Sequence, residues 1–299
     1  MSAPIGGQTS EVRQPRLLVC GSDDEIANRL SRVLPDWELL RVPDNRAVLE
    51  NLETGQIDLV ITGRNTSGKT DVELLRSIRR ASGPAKTRVI IQTDDSTRED
   101  LIAAIREGAF SYFSRPYFEA AFDEILRHAA STDDWEDAIR IDSGTPSWLR
   151  LFARCEIPTA DRVIQFMNEI CELQGKERES MGFAVKEILM NAMEYGGKFN
   201  RDMWVEVSYV CGQRMVLYRV RDPGEGFSMD ELAHSAIANP PDEPVKHLEI
   251  RDSLGLRPGG YGVMLTRKLV DDLIYNERGN EVLLVKYFDA ARTDEPTGE

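Results

Sequence analysis

The chain has 299 residues, which is enough for about two domains of ordinary size. Its net charge of -14 argues against sequence-independent binding of nucleic acid, because that binding depends on Lys and Arg neutralising phosphates. No run of about 18 apolar residues occurs, so the sequence predicts no membrane span. The four scattered cysteines fit neither a zinc spacing nor a disulfide framework, and a reducing cytoplasm is the simplest setting for them.

The first half of the chain alternates short apolar runs with amphipathic stretches, after residues 1–14, which are expected to be a flexible tail. Strands are predicted at residues 16–20, 37–42, 58–62, 88–92 and 110–113. Helices are predicted at residues 25–34, 44–54, 72–81, 98–108 and 118–130. Strands and helices in strict alternation predict an α/β domain at residues 15–130, with a doubly wound parallel sheet.

This order of elements resembles a response-regulator receiver domain, whose phosphotransfer needs an aspartate nucleophile and a Mg²⁺ held by acidic oxygens. The chain departs from the receiver pattern where that chemistry should be. Gly21 and Ser22 stand in place of the acidic pair after strand one, and Gly63 stands in place of the phosphoacceptor aspartate. Arg115 replaces the lysine before a proline, whereas the hydroxyl residue after strand four, Thr93, is present.

The resemblance therefore implies a pseudo-receiver that forms no aspartyl phosphate and serves docking or dimerisation. A slipped alignment would let Asp23 and Asp24 hold a metal ion, but it supplies no acceptor aspartate. The polar, acidic residues 131–145 are expected to form a linker, and the SGTP sequence at 143–146 is typical of a turn.

The second half of the chain, residues 146–288, mixes strands and helices without strict alternation, and residues 289–299 are expected to be a disordered tail. Strands are predicted at residues 148–155, 205–211, 214–221 and 281–287. Helices are predicted at residues 159–173, 177–195 and 265–273. Helices on one face of a mostly antiparallel sheet are the implied α+β architecture.

Three short motifs in this second half carry the functional information. The helical sequence AVKEILMNAMEYG places Glu187 and Asn191 four residues apart, so both side chains leave one helix face. A DPGEG turn and a glycine loop at the start of an apolar helix follow, and they contain Asp222, Gly224, Gly226, Gly260 and Gly262. In this order the motifs resemble the N, G1 and G2 boxes of the Bergerat-fold (GHKL) ATPases. The compact domain is most similar to the anti-sigma-factor serine kinases, and the resemblance implies an ATP-binding α+β sandwich.

The resemblance also implies a role for each motif residue, and these roles suit the chemistry. Asn191 would coordinate Mg²⁺ through its amide oxygen, a hard ligand for a hard cation. Glu187 would act as general base for the attack on the γ-phosphate of ATP. Asp222 would accept a hydrogen bond from the adenine amino group, while Gly224 and Gly226 let the backbone approach the base.

Gly260 and Gly262 would present helix N-terminal amides to the phosphates, with Arg257 or Lys198 as a weaker source of added charge. The segment between Gly226 and Gly259 is expected to be a mobile lid, and its histidines are expected to be surface residues rather than ligands. Each motif also has a plain structural alternative. Glu187 alone would be a solvated helix carboxylate, and the glycine motifs would be a strand-ending turn and a helix start.

The leading hypothesis is an ATP-dependent serine/threonine kinase of the anti-sigma type. The resemblance implies protein partners, namely a small antagonist protein as substrate and a sigma factor or similar regulator, and it allows a homodimer. His128 lacks the acidic follower and the downstream proline of a phosphoacceptor helix, so no histidine-kinase substrate is evident within the chain. Two alternatives stay open: a non-catalytic adaptor that responds to nucleotide, and a pseudo-receiver scaffold with an inactive ATPase domain.

Overall fold

The structure, a computed structural model, describes residues 13–21, 24–63, 66–81, 87–131, 135–226 and 262–288. These residues form one parallel and one antiparallel sheet, each packed with helices. No helix in the described ranges is both long enough and apolar enough to cross a membrane.

The first sheet is parallel and has the strand order β2-β1-β3-β4-β5, the order of flavodoxin-like doubly wound folds. Its strands are β1 (Arg16–Cys20), β2 (Glu38–Val42), β3 (Leu59–Ile61), β4 (Arg88–Thr93) and β5 (Ser111–Ser114). The helices are α1 (Asp24–Val33), α2 (Asn45–Thr54), α3 (Gly68–Ala81), α4 (Arg98–Arg106) and α5 (Glu119–Ser131). The predicted doubly wound parallel sheet is confirmed.

Both faces of this sheet are covered, because successive strand residues point to opposite sides and helices lie on each side. Leu17 and Val19 of β1 belong to the apolar cluster that includes the buried faces of α1 and α5. Leu18, between them, belongs to the cluster on the other face, with α2, α3 and α4. This double burial explains why β1 and β3 are continuous apolar runs rather than alternating ones.

The second sheet is antiparallel, with the strand order β10-β11-β9-β8-β7-β6. Its strands are β6 (Ile139–Thr145), β7 (Trp148–Arg154), β8 (Trp204–Cys211), β9 (Met215–Arg221), β10 (Asp272–Tyr275) and β11 (Glu281–Tyr287). The helices are α6 (Ile157–Ile170), α7 (Gly175–Asn191), a π-helical turn (Ala192–Gly196) and α8 (Gly262–Leu269). Here too the predicted α+β class is confirmed.

Two segments differ from their predictions. Residues 139–145 form β6 rather than a linker and turn; they pair with β7, with a register shift between Ile141 and Ser143 that accommodates the polar SGT sequence. Residues 270–273 do not continue a helix, since α8 ends at Leu269 and Asp272 begins β10. Asp271 already donates its N–H to the carbonyl of Val285 in β11, at 2.9 Å, so sheet pairing replaces the helix there.

Candidate functional site

Glu187 and Asn191 lie one turn apart on α7, beside the face that the helix buries. Buried residues recur along α7 at positions 181, 184, 185, 188 and 189, the spacing of one helix face. Glu187 and Asn191 flank this face, and both side chains are partly exposed. The sequence periodicity therefore leaves one acid and one amide directed away from the core.

A π-helical turn directly follows Asn191 and brings the chain against the loop after β9. Such turns are rare and often occur at functional sites. A Cβ on Gly196, the last residue of the turn, would overlap the carboxylate of Asp222. Lys198 and Phe199 follow with positive φ angles of 53° and 47°, a conformation that non-glycine residues seldom adopt. This backbone path lets the N-box helix and Asp222 meet.

Asp222 is held by the loop that it begins. Its Oδ1 accepts the N–H of Gly224 at 2.8 Å, so the carboxylate is fixed over the turn. Burial raises the pKa of Asp222, and the hydrogen bond from Gly224 opposes that rise. Gly226 has a φ of 86°, the left-handed region that favours glycine, and a Cβ there would overlap the carbonyl of Arg278.

The turn between β10 and β11 supports this loop, a contribution that the sequence analysis missed. Asn280 is buried, and its side-chain N–H groups point to the carbonyls of Asp222 and Gly224, both at 3.4 Å. The N–H of Asp222 in turn donates to the carbonyl of Asn280 at 3.0 Å. Arg278 donates from Nε to the carbonyl of Glu225 at 3.0 Å. The pairing of β11 with β9 and β10 places the ERGN turn here, and the local sequence does not indicate that the turn contacts the Asp222 loop.

The N-terminus of α8 meets Glu187. Gly262 is the first residue of α8, and a Cβ on it would overlap Oε2 of Glu187. The start of a helix carries unpaired N–H groups and a partial positive charge, which suits a carboxylate or a phosphate. Gly260, Arg257, the expected lid and the lid histidines lie outside the described residues.

The motif residues thus line one continuous stretch of α7 and its π-helical turn. Positions 187 and 196 are nine residues apart, which at about 1.5 Å per residue is about 13 Å. Glu187, Asn191 and the start of α8 lie towards one end, and Asp222 with its loop lies at the other. The arrangement offers a half-buried carboxylate at one end of the stretch, and a carboxylate, an amide and helix N–H groups at the other. Glycine is needed at positions 196 and 262, because a Cβ there would overlap the carboxylate of Asp222 or of Glu187.

The region that corresponds to a receiver phosphorylation site is closely packed. Gly63, which follows β3, lies so close to β1 that a Cβ on it would overlap the carbonyl of Cys20. Thr93 is buried, and its hydroxyl donates to the carbonyls of Thr66, at 3.1 Å, and Asp95, at 2.9 Å. The backbone at the end of β3 therefore has no room for an acceptor side chain in this conformation.

The acidic and basic residues near that region also have other partners. Asp24 is 83% exposed and pairs with Arg41 at 2.8 Å. Arg115 pairs with Asp94 at 3.5 Å and lies over the ring of Tyr117. Asp23, the other acid of the slipped alignment, lies outside the described residues.

A buried carboxylate at this end of the sheet was not anticipated from the sequence. Asp71, in the first turn of α3, is 0% exposed and accepts the hydroxyl of Thr66 at 2.9 Å. Burial raises its pKa to about 7, against hydrogen bonds from Thr66, Thr62 and Asn45. Burial, and to a lesser extent the charge of the nearby Asp71, raise the pKa of the Cys20 thiol to about 11. The sequence SGKTDVELL offers no sign that this acid is buried.

The two halves of the chain are similar to different known proteins. Residues 154–286 match the family model of the histidine kinase-like ATPase domain, which confirms the ATPase resemblance drawn from the three motifs. Over 117 residues the chain is 26% identical to the serine-protein kinase RsbW of Oceanobacillus iheyensis, covering 39% of this chain and 69% of that protein. Over 83 residues it is 30% identical to the chemotaxis protein CheY-3 of Vibrio cholerae, covering 28% of this chain and 64% of that protein.

Similar solved structures include two receiver proteins. A response regulator from Thermotoga maritima covers 40% of this chain and 100% of its own, at 18% identity and a TM-score of 0.35. The signal receiver domain of an HD domain-containing protein from Pseudomonas fluorescens Pf-5 covers 40% of this chain and 95% of its own, at 28% identity and a TM-score of 0.33.

Proposed function

We propose that this chain, in which a receiver-like domain precedes a histidine kinase-like ATPase domain, is an ATP-dependent serine/threonine protein kinase of the anti-sigma-factor type. Its ATP site is the stretch from Glu187 to Gly196 together with the loop that begins at Asp222. The observation that carries the proposal is the meeting of all three motifs on α7. Gly262 contacts Glu187, and Gly196 contacts Asp222, although these residues are far apart in the sequence. The printed name of the relative from Oceanobacillus iheyensis, a serine-protein kinase, supports the same reaction class.

Each residue has one task in this proposal. Asp222, fixed by the N–H of Gly224, accepts a hydrogen bond from the adenine amino group. Asn191 would hold Mg²⁺ through its amide oxygen, and the ion would neutralise charge on the phosphates. Glu187, one turn earlier, takes the proton from the attacking hydroxyl of the protein substrate. The N-terminal amides of α8, which begins beside Glu187, would bind the phosphates.

We also propose that the receiver-like domain takes no phosphoryl group and instead controls the partners of the ATPase domain. Three observations support this. The backbone at Gly63 leaves no space for a side chain, the hydroxyl of Thr93 is hydrogen-bonded to a main-chain carbonyl, and Asp24 forms an ion pair with Arg41. The partners in this proposal are proteins, an antagonist that is phosphorylated and a sigma factor or similar regulator. A second copy of the chain is a further partner of the same kind.

Calorimetric titration of Mg-ATP tests the site. The wild-type chain should bind, and Asp222→Asn should lose most of its affinity, because the amide offers an N–H where the adenine amino group needs an acceptor. Asp202→Asn is the matched control, an exposed aspartate in the same half of the chain. Equal binding by the wild type and by Asp222→Asn would refute the assigned pocket.

Glu187→Gln separates the kinase from the adaptor alternative. The variant should bind Mg-ATP with nearly the wild-type Kd but lose ADP release and transfer of labelled phosphoryl to a serine of a captured partner. The adaptor alternative is favoured by the contact of Glu187 with Gly262, since such a carboxylate would also hold the start of α8. Wild-type binding of Mg-ATP without ADP release or phosphoryl transfer, together with weaker binding by Glu187→Gln, would support the adaptor alternative.

A further inference from the structure

One helix of the ATPase domain, α6, carries a polar stripe that faces the receiver-like domain. The stripe consists of Asp161, Arg162, Gln165 and Glu169, and Glu172, two residues after the end of α6, extends it. Asp161 hydrogen-bonds Nε2 of His128 in α5 at 2.8 Å, and Glu172 pairs with Arg98 in α4. The opposite side of α6 contributes Val163, Phe166 and Met167 to the core of the second sheet. Both sides of α6 are therefore engaged.

The polar stripe binds the edge of the first sheet that β5 forms. Among the strands in the described ranges, β5 is the last of that sheet and pairs with β4 alone. Arg162 donates from Nε to the carbonyl of Phe110 at 2.8 Å, and Gln165 donates from Nε2 to the carbonyl of Tyr112 at 3.0 Å. These carbonyls are two residues apart, so they point to the same side of the strand. Side chains of α6 thus take the place of a neighbouring strand.

Arg162 is the most deeply buried member of the stripe, with 4% of its surface exposed. Its guanidinium lies 4.5 Å from the ring of Phe110 and 5.5 Å from that of Trp135, and it donates to the carbonyl of Trp135 at 3.1 Å. Trp135 belongs to the segment predicted as a linker, yet it is only 3% exposed. Burying a cation costs free energy unless its partners compensate for the lost water. The carbonyls and rings from the first domain therefore hold the two domains in a fixed contact.

α6 in turn packs against the helix that carries the candidate site. The main-chain carbonyl of Asn168 accepts a hydrogen bond from Nη2 of Arg178, near the start of α7, at 2.6 Å. A Cβ on Gly182, in α7, would lie 2.6 Å from Oδ1 of Asn168, so the two helices are in close contact. Glu187 and Asn191 lie further along the same helix. A displacement of α6 would therefore move or loosen α7, because the two helices are in direct contact.

We infer that the receiver-like domain controls nucleotide affinity by holding α6, so that only the docked chain presents α7 in its binding position. This inference rests on the proposed ATP site. When α6 is released from the β5 edge, α7 loses its support, and Mg-ATP must order it at the cost of affinity. Because coupling between two equilibria is reciprocal, Mg-ATP strengthens docking by the same factor by which docking strengthens binding.

The ion pair between Arg98 and Glu172 allows a test that leaves the cores intact. Both side chains are about one-third exposed, and the pair borders a cavity of about 600 Å³ at the domain junction, so a substituted side chain has space. Arg98→Glu sets two acids against each other across the junction, while Glu172→Arg in the same chain restores opposite charges. Arg98 begins α4, where an acid is favourable to the helix itself.

The measurements are small-angle scattering for docking and calorimetry with Mg-ATP for affinity, on the full chain. We expect Arg98→Glu to expand the particle and to raise the Kd at least about fivefold, as allosteric coupling commonly does. The double variant should return both quantities to within about twofold of wild type. Arg127→Gln, on the outer side of α5, is the control and should change neither.

Other outcomes decide against the inference. An expanded Arg98→Glu particle with an unchanged Kd would show that docking and binding are independent. An unexpanded particle would show that the Arg98–Glu172 pair is not needed for docking, and Arg162→Met, which removes the buried cation at similar volume, then decides: a wild-type Kd for this variant would overturn the inference. Absence of Mg-ATP binding by the wild-type chain would refute the proposed function instead, while the scattering results would still report on docking.

Discussion

Replacing Asp71 by asparagine should stabilise the receiver-like domain, and the gain should depend on pH. The folded-state pKa of about 7 lies about 3 units above the usual value of 3.8. At about 1.4 kcal/mol per unit, the ionised carboxylate costs the folded state about 4 kcal/mol at high pH. Asparagine has nearly the same shape and still offers an oxygen to the hydroxyl of Thr66, so it avoids this cost.

The sign follows from proton linkage. The folded state holds the Asp71 proton more tightly than the unfolded state, so the stability contributed by protonation is complete below about pH 4 and is lost as pH rises to about 7. The advantage of Asp71→Asn should therefore be near zero at pH 4 and grow by about 1.4 kcal/mol per unit up to about pH 7. Cys20 does not interfere, since its pKa of about 11 leaves the thiol neutral in this range.

Urea titrations at pH 4.5, 6 and 8, followed by tryptophan fluorescence, give the free energy of unfolding for each protein. Asp44→Asn is the matched control, because Asp44 is an exposed N-cap of α2 and asparagine caps a helix equally well. A gain for Asp71→Asn that is the same at every pH, or a loss at pH 8, would refute the assignment of a buried, protonatable carboxylate.

Three further outcomes are expected. Gly196→Ala should raise the Kd for Mg-ATP at least about tenfold, because its Cβ would displace the Asp222 carboxylate, whereas the control Gly212→Ala meets no atom closer than 3.8 Å and should bind normally. Asn280→Ala should raise the Kd about fivefold through loss of about 1 kcal/mol of support to the Asp222 loop; an unchanged Kd would exclude that support. The full chain incubated with acetyl phosphate should show no added phosphate by intact mass, and an aspartyl phosphate mapped to the first domain would contradict the proposed role of Gly63.

Much of the architecture was predictable because each half has its own periodicity. The alternation of apolar runs with amphipathic stretches predicted the parallel sheet, and the four-residue spacing of Glu187 and Asn191 predicted that both side chains leave one face of α7. These signals are local, since they depend on residues within one or two turns of each other. The order of the three motifs along the chain predicted that they form one site, and the structure has Asp222 and Gly262 beside the same helical segment.

The features that were not predictable depend on contacts between distant segments. Residues 139–145 are polar and turn-like, yet they form β6 because β7 offers an edge to pair with. The polar side of α6 would be expected to face solvent from its sequence alone, since Arg162 and Gln165 are usually surface residues. Asp71 and Asn280 were missed for the same reason: each is placed by tertiary structure, and neither belongs to a periodic or motif pattern.

The way α6 meets β5 has a consequence for how this pair of domains tolerates sequence change. Gln165 binds a main-chain carbonyl of Tyr112, an atom that every amino acid at that position provides. Substitutions along the strand edge therefore leave this hydrogen bond available, whereas a change of Gln165 removes it outright. In chains that share this two-domain arrangement, variation should be freer on the strand than on the helix, and a receiver-like domain of different sequence should still dock if its edge strand follows the same path.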